Sequence, residues 1–546
     1  MPAADDSAPL FRFESERNEI VAEVVDRVTR GAVQRAWESP EQGLEYLLNE
    51  AAFREMARLE DREGPRAVQE YAFWRDVAHK VGRASEDENA ALLHSIVQRY
   101  GDDTAGRFRP GVYQLATRVL PGSISFLFSR QRGTDLLMLQ PRLDSLRERV
   151  VLEGELGKIR QLAQRGTVVV VPTHSSHMDS LLIGWALHAS GLPPVTYGAG
   201  KNLFTNPMTS FFMANLGAYK VDRRLRHTVY TSVLKEYSQV LLERGYHSLF
   251  FPGGTRSRSN HVESRLKLGL LGTALDAFTR NVQLGRPKPN VYIVPVTINY
   301  NLILEAETLI DEHLKKGGQG RYIIEDDEFS DIRRVAQFVK ASLDMDSSVT
   351  LRFCTPRDVF GNEVGQDGES LDAQGRAVDP ARYLWIHGEV TPDRERDMEY
   401  TRELGVAVAE SFRTNTVIYP LHVVAFALFE HLRRQHASWD IYRVLRFARG
   451  DSVSVAVAEG ETERLVRLVR RDVEQGRYRA HKSVLVGSAH ELVREALRYF
   501  GTYHTSPIAR TEHGSILLMQ LKLLYYYSNR LRGFDLERRL RTPGGY

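Results

Sequence analysis

The 546 residues include a single cysteine, Cys354. One thiol can form neither an internal disulfide framework nor a cysteine-cluster metal site, and it suits a reducing compartment. Charge of one sign is equally scarce: 73 Lys and Arg against 70 Asp and Glu leave a formal charge of +3. Nucleic-acid proteins carry a marked basic excess, so the whole-chain balance argues against a nucleic-acid partner and leaves only local basic patches open. Long apolar runs are missing too. A spanning helix needs about 20 mostly apolar residues. Ser180–Gly200 is interrupted by Gly191, Pro193 and Pro194, and Asn202–Tyr219 by Asn202, Asn206, Pro207 and Asn215. Thr414–Phe429 is too short and contains Pro420. The start, Met1–Phe11, holds Asp5 and Asp6 with no basic segment leading into an apolar one, so no secretory signal is expected.

What is there is an ordinary globular composition, 42% apolar and 26% charged. The length allows three or four domains of roughly 150 residues, or two large ones. Residues 1–150 read as an N-terminal helical region, as in Glu45–Phe53 and Tyr71–Ala78. The character changes at Gly166, where Thr167–Val171 is a β-branched run bounded by Gly166 and Pro172, the mark of a buried central strand. A helical segment from Ser180 and a short strand at Val195–Tyr197 follow. His227–Arg244 places Val229, Val233, Leu234, Tyr237, Val240 and Leu241 on one helical stripe. Ser248–Phe251 is the next strand, Leu266–Asn281 a helix, Val291–Ile298 a strand and Val349–Cys354 a late or edge strand. The alternation predicts an α/β fold over residues 151–360 with a largely parallel central sheet. Residues 361–396 read as a loop or linker and 397–546 as a C-terminal helical domain.

The chemistry concentrates in Val171-Pro-Thr-His-Ser-Ser-His-Met-Asp179, just past the strongest strand, where α/β sheets collect functional groups. Five residues apart on one helix, His174 and Asp179 would point about 140° apart. They can meet only if His174 lies in the turn and Asp179 in the first helical turn. Asp179 would then fix the imidazole tautomer and leave the other nitrogen as a base for a hydroxyl. A turn capped by Ser175, Ser176 or Asp179 explains the same residues. A metal site built on His174, His177 and Asp179 is a third reading, although no second tight cluster accompanies it. Two Gly-rich or basic turns follow other strands. Phe250–Arg258 offers Gly253 and Gly254 for close backbone approach and Arg256 and Arg258 as phosphate donors, with Lys267 nine residues on. Gly217–Arg224 offers Arg223 and Arg224. Together they describe an anionic substrate beside a hydroxyl-activating histidine.

Taken in order, these segments resemble the four blocks of the glycerolipid acyltransferase superfamily, most of all its long glycerol-3-phosphate O-acyltransferases. The first is the H-x4-D signature, His174–Asp179. The second is Gly217–Arg223, the third Phe251–Arg258 with Lys267 and Gly269, and the fourth Ile293–Tyr300. Ser123–Ser129 resembles the lead-in to the first block in long members, and Leu524–Arg530 a tail segment of the same enzymes. The resemblance implies a fatty acyl group moved from a thioester, acyl-CoA or acyl carrier protein, to the sn-1 hydroxyl of glycerol 3-phosphate in phospholipid synthesis. His174 would be the general base, Asp179 its orienting partner, and Arg223, Arg256, Arg258 and Lys267 the phosphate ligands. Gly253, Gly254 and nearby amides would face the oxyanion. No cofactor and no metal are implied.

Two positions depart from the pattern. The third block usually carries Glu where this chain has Gly253, and the second usually pairs two arginines where this chain has Asp222 before Arg223. An Asp-Arg pair is more familiar in lysophosphatidate acyltransferases, so lysophosphatidate or dihydroxyacetone phosphate stands as the alternative acceptor. A catalytically silent lipid-binding scaffold is the further alternative. A lipid product implies a cytoplasmic protein held peripherally on the cytoplasmic face of a membrane, with Asn202–Tyr219 the expected surface contact. The arginine run from Arg464 to Arg479 reads first as a solvated helix face, with anionic headgroups the other reading. Tyr525, Tyr526 and Tyr527 read as packing residues, and His422 and His431 need no role.

Overall fold

A computed structural model describes residues 8–38, 43–60, 64–117, 150–204, 207–316, 348–501, 504 and 506–541. Ser123–Ser129 lies outside them. The centre is a seven-stranded sheet: β1 (Val150–Gly154), β2 (Thr167–Pro172), β3 (Thr196–Gly200), β4 (Ala218–Val221), β5 (Ser248–Leu249), β6 (Val291–Tyr300) and β7 (Val349–Phe353). Their spatial order is β1-β7-β6-β2-β5-β3-β4. β2 to β6 run parallel. β7 is antiparallel to β6, and β1 lies parallel to β7. The sheet is largely parallel, as the alternating pattern predicts. β7 sits one place in from the edge that β1 forms. β1 gives little sequence signal because only Val150 is fully buried along it.

β2 shows why its valines form a central strand. Val168 and Val170 enter one core, and Val169 and Val171 the core on the opposite face. A strand covered on both sides needs apolar, β-branched residues at every position. Over one face lie α1 (Leu268–Gln283) and α2 (Arg394–Asn415), through Leu271, Leu275, Phe278, Leu404, Val408 and Phe412. Over the other lies α3 (Pro420–Gln435), whose Leu421–Phe429 stretch shares one core with Val294, Val296, Ile298 and Leu351 of the sheet. The Thr414–Phe429 stretch is thus the end of α2, a short strand at Val417–Ile418 and, from Pro420 on, the buried first part of α3. Among the described residues no helix is long and apolar enough to cross a membrane.

The flanking regions are helical. N-terminal helices spanning Phe13–Glu38, Leu44–Leu59 and Glu86–Thr104 pack on the helix Thr228–Glu243, which presents the stripe Val229, Val233, Tyr237, Val240 and Leu241. In the C-terminal region, Tyr526 and Tyr527 on the helix Leu521–Ser528 are fully buried in the same core as the sheet. Residues 361–393 are not bare loop: Glu363–Val364, Ser370–Leu371 and Ala377–Val378 form a small antiparallel sheet.

Candidate active site

β2 ends at Pro172, and the chain turns through Thr173–Met178 before the helix Asp179–Ala189. Asp179, wholly buried, reaches back across this turn. Its Oδ2 accepts from the amides of Ser175 and Ser176 at 2.6 and 2.9 Å and from His174 Nδ1 at 2.8 Å. Two of the alternatives read from the sequence are therefore realised by one carboxylate, which closes the turn and orients the histidine. Donation by Nδ1–H leaves Nε2 as the acceptor nitrogen. The other oxygen, Oδ1, accepts from Tyr300 OH at 2.5 Å. Asp179 thus carries four donors, three on Oδ2 and one on Oδ1. Among the described residues no three His, Cys, Asp or Glu side chains gather to hold a metal.

The His174 ring stacks on Phe251, 4.2 Å between centroids, and its side chain is 12% exposed. Burial lowers its pKa below the usual histidine value, and the bond to Asp179 opposes this without reversing it. The ring is thus neutral at neutral pH, the state a general base requires. Cys354 offers no competing nucleophile, since burial pushes its thiol up to about 12.

Beneath the turn lies a second buried carboxylate, Glu305. It accepts from Ser176 Oγ at 2.9 Å and the His177 amide at 2.9 Å, and Arg256 Nη1 approaches it at 3.4 Å. The guanidinium of Arg256 therefore arrives beside His174 already oriented. Arg258 is held by Glu312 at 2.5 Å. Arg223 and Lys267 have no carboxylate partner among the described residues. Burial first, then Arg256 and Arg258, lowers the pKa of Arg223. Burial first, then Arg223, Arg226 and Arg258, lowers that of Lys267. Cations crowded together against their own repulsion form a site that an anion would relieve. The four cations expected from the sequence lie within electrostatic reach of one another, and Arg256 also of His174.

Gly254 has φ of +72°, and a Cβ there would lie 2.7 Å from the Lys267 side chain, so only glycine lets the lysine stem cross the loop. The Gly254 amide donates to Phe251 O at 3.0 Å, so it closes this turn and does not face an oxyanion as expected. Asp222 Oδ1 accepts from the Arg224 amide at 3.1 Å, its Oδ2 lies 3.9 Å from Lys201 Nζ, and its own amide donates to Tyr230 OH at 2.7 Å. It shapes the turn that presents Arg223.

Five further residues stand at the site. Tyr300, Glu305 and Phe251 are described above. Glu263 accepts from the His174 amide at 2.7 Å, and Arg530 is buried with no hydrogen bond among the described residues, within electrostatic reach of Glu263 and Asp179. Tyr300 and Phe251 stand inside the third and fourth blocks, so only their roles went unread. Arg530 closes the tail segment Leu524–Arg530, while Glu263 and Glu305 join the site through the tertiary fold alone.

Comparison with known proteins gives three kinds of match. Residues 155–299 match the family model described as Acyltransferase. The glycerol-3-phosphate acyltransferase of Pseudomonas syringae pv. syringae is 28% identical over 320 residues, 57% of this chain and 35% of that protein. Its counterpart in Aeromonas hydrophila subsp. hydrophila is 37% identical over 157 residues, 28% of this chain and 19% of that protein. The chain thus covers about a third or less of the length of these curated relatives. Among solved structures, a 1-acyl-sn-glycerophosphate acyltransferase from Thermotoga maritima aligns over 55% of this chain and 81% of its own, at 17% identity and a TM-score of 0.26, too low to carry an argument.

Proposed function

We propose that this chain, whose residues 155–299 match the acyltransferase family and align with glycerol-3-phosphate acyltransferases, moves a fatty acyl group from a thioester to a hydroxyl of glycerol 3-phosphate. The observation that carries the reading is a neutral, carboxylate-oriented imidazole within electrostatic reach of Arg256, one of a group of cations of which Arg223 and Lys267 have no carboxylate partner among the described residues. In the proposed step His174 Nε2 takes the acceptor's hydroxyl proton as its oxygen attacks the thioester carbonyl. The new C–O bond forms, a tetrahedral oxyanion collapses, the C–S bond breaks, and the thiolate leaves with the proton from His174. Asp179 stabilises the imidazolium that exists between these events. Arg223, Arg256, Arg258 and Lys267 hold the acceptor phosphate, which places the hydroxyl and supplies proximity. The sn-1 hydroxyl is the one proposed, with acyl-CoA or acyl carrier protein as donor, and no cofactor or metal is called for.

The chain would act at the cytoplasmic face of a membrane. Phe211, 47% exposed on the helix Pro207–Asn215, gives the 202–219 stretch an apolar residue to present to it.

Thioester consumption with glycerol 3-phosphate, wild type against His174→Ala, tests the activity. Loss of the general base is expected to lower turnover by about 10²–10⁴-fold. Running glycerol 3-phosphate, dihydroxyacetone phosphate and lysophosphatidate side by side identifies the acceptor. Turnover that survives His174→Ala with every acceptor would refute the reading.

A further inference from the structure

Gly253 has no side chain, yet the space one would fill is occupied. A Cβ built there would lie 2.5 Å from Glu263 Oε2 and 2.9 Å from its carboxyl carbon. Glu263 comes from ten residues further along the same loop, folds back over Gly253, and delivers its Oε1 to the His174 amide at 2.7 Å. The other end of that residue is gripped as well, because Ser257 N–H donates to His174 O at 2.7 Å. The backbone of the proposed base is therefore clamped on both sides by the loop 252–267. The loop is itself closed at its ends by Lys267 N–H to Pro252 O at 2.8 Å. Its middle is tied to the C-terminal region by Asn260 Nδ2 to Tyr526 O at 3.3 Å and Asn529 Nδ2 to Ser259 O at 3.0 Å.

We infer that Glu263 is a positioning residue for acyl transfer: from a displaced point in the chain it supplies the acceptor oxygen that holds His174, in space that Gly253 leaves open for it. The inference rests on the acyltransferase reading above. Its energetic setting is unfavourable enough to need a reason. The carboxyl is buried, its Oε2 has no hydrogen-bond partner among the described residues, and burial pushes its pKa up to about 8. An alanine at 263 would avoid that desolvation, so a packing role alone does not explain a carboxyl there. An acceptor aimed at the peptide nitrogen of the base does. The same geometry makes positions 253 and 263 interchangeable sources of one group. A glutamate side chain leaving Cα253 heads into the carboxyl site of Glu263, and the two together would collide.

The test is a swap, measured on the full chain with glycerol 3-phosphate and a thioester donor. Glu263→Ala is expected to lower kcat about 100-fold by loosening the base, with KM for the acceptor within about threefold. Gly253→Glu alone is expected to be similarly impaired through the collision. The double variant Gly253→Glu/Glu263→Ala should recover to within about tenfold of wild type, a coupling that independent sites would not show. Glu263→Gln, which keeps an acceptor at the same place, should rescue kcat to the same extent. Hydrogen exchange of the His174 amide supplies a readout independent of turnover, faster in Glu263→Ala and slow again in the double and glutamine variants. Wild-type kcat in Glu263→Ala, or folded swap and glutamine variants no better than it, would overturn the inference. If His174→Ala leaves turnover intact, the activity reading has failed instead, and the exchange rates alone decide the role of Glu263.

Discussion

Tyr300→Phe removes one oxygen from the site and isolates what it does. In the wild type the Tyr300 hydroxyl is, among the described residues, the one hydrogen-bond donor to Asp179 Oδ1, while Oδ2 takes three other donors. Both side chains are buried, so water cannot easily replace the lost donor. A hydrogen bond to a charged group contributes about 1.5–3 kcal/mol, and an orphaned buried acceptor costs about 1–3 kcal/mol. The carboxylate of Asp179 should respond in two ways. It becomes freer to rotate away from His174, which lowers kcat/KM about tenfold, equivalent to roughly 1.4 kcal/mol. With one donor fewer to share its negative charge, it also pulls harder on Nδ1–H, which favours the protonated imidazole. Burial holds His174 below the usual histidine value in the wild type, so its activity should fall only below pH 6.5. In Tyr300→Phe that acid limb should move up by about one unit, since one pKa unit corresponds to 1.36 kcal/mol. The assay is kcat/KM against pH for both proteins, with thermal melts to confirm folding. A folded Tyr300→Phe protein with the wild-type acid limb and wild-type kcat/KM would refute the claim that Tyr300 governs Asp179.

Arg223→Ala and Lys267→Ala each remove a cation that lacks a carboxylate partner among the described residues. Each should raise KM for glycerol 3-phosphate about 10- to 100-fold, from the 1.5–3 kcal/mol of a charged hydrogen bond, with a smaller effect on kcat. Unphosphorylated glycerol should not distinguish wild type from variant, and an equal loss with glycerol would show that these residues do not read the phosphate. A separate prediction concerns stability and pH. Burial holds His227 and His247 at about 4 in the folded chain. Below the ordinary value of 6.5 the unfolded chain binds protons that the folded one refuses, so stability falls as pH drops from 6.5 to 4 and this contribution levels off beneath that. Each histidine contributes up to about 3 kcal/mol across that window. His247→Gln, which can still accept from the Val168 amide, should flatten the acid slope of the denaturation midpoint, and an unchanged slope would contradict the assignment.

The sequence displays features whose cause is local. The Val168–Val171 run announces a strand buried on both faces because every position must be apolar. The His174–Asp179 spacing allows a pair only if His174 lies in the turn, and leaves a capped turn as an equally open reading; the fold realises both. The cations are visible because arginines after strands of one sheet converge at its carboxyl edge. What is not visible has its cause elsewhere in the chain. Glu305 reads as one acid among many until the fold places it under Ser176 and Arg256. Arg530 reads as the last residue of the tail segment, with no role assigned, until the C-terminal region closes over the loop that carries Glu263. Gly253 and Asp222, both departures from the family pattern, are each explained by contacts beyond their own blocks. The acid expected at 253 comes from 263, and Asp222 spends its side chain on shaping the turn.

The flanking helices are part of the site's construction, and the two sides serve different halves of it. On the N-terminal side, Tyr100 OH donates to Glu55 at 2.7 Å and lies 3.1 Å from His227 Nε2. His227 Nδ1 in turn accepts from the Tyr230 amide, and Tyr230 OH accepts from the Asp222 amide. With Nδ1 accepting, the proton sits on Nε2 and the network runs in one direction, from the Asp222 turn to Glu55. It is buried throughout, so each link that fails leaves a polar group unpaired. This network fixes the turn that presents Arg223. On the C-terminal side, Tyr526 and Asn529 hold the loop that carries Gly254, Ser257 and Glu263, and so fix the backbone of His174. The half of the site proposed to bind the anion is therefore braced from one end of the chain, and the half proposed to accept the proton from the other. Loosening either flank should damage a different kinetic constant, acceptor binding from the N-terminal side and turnover from the C-terminal side, because each reaches the chemistry through a different clamp.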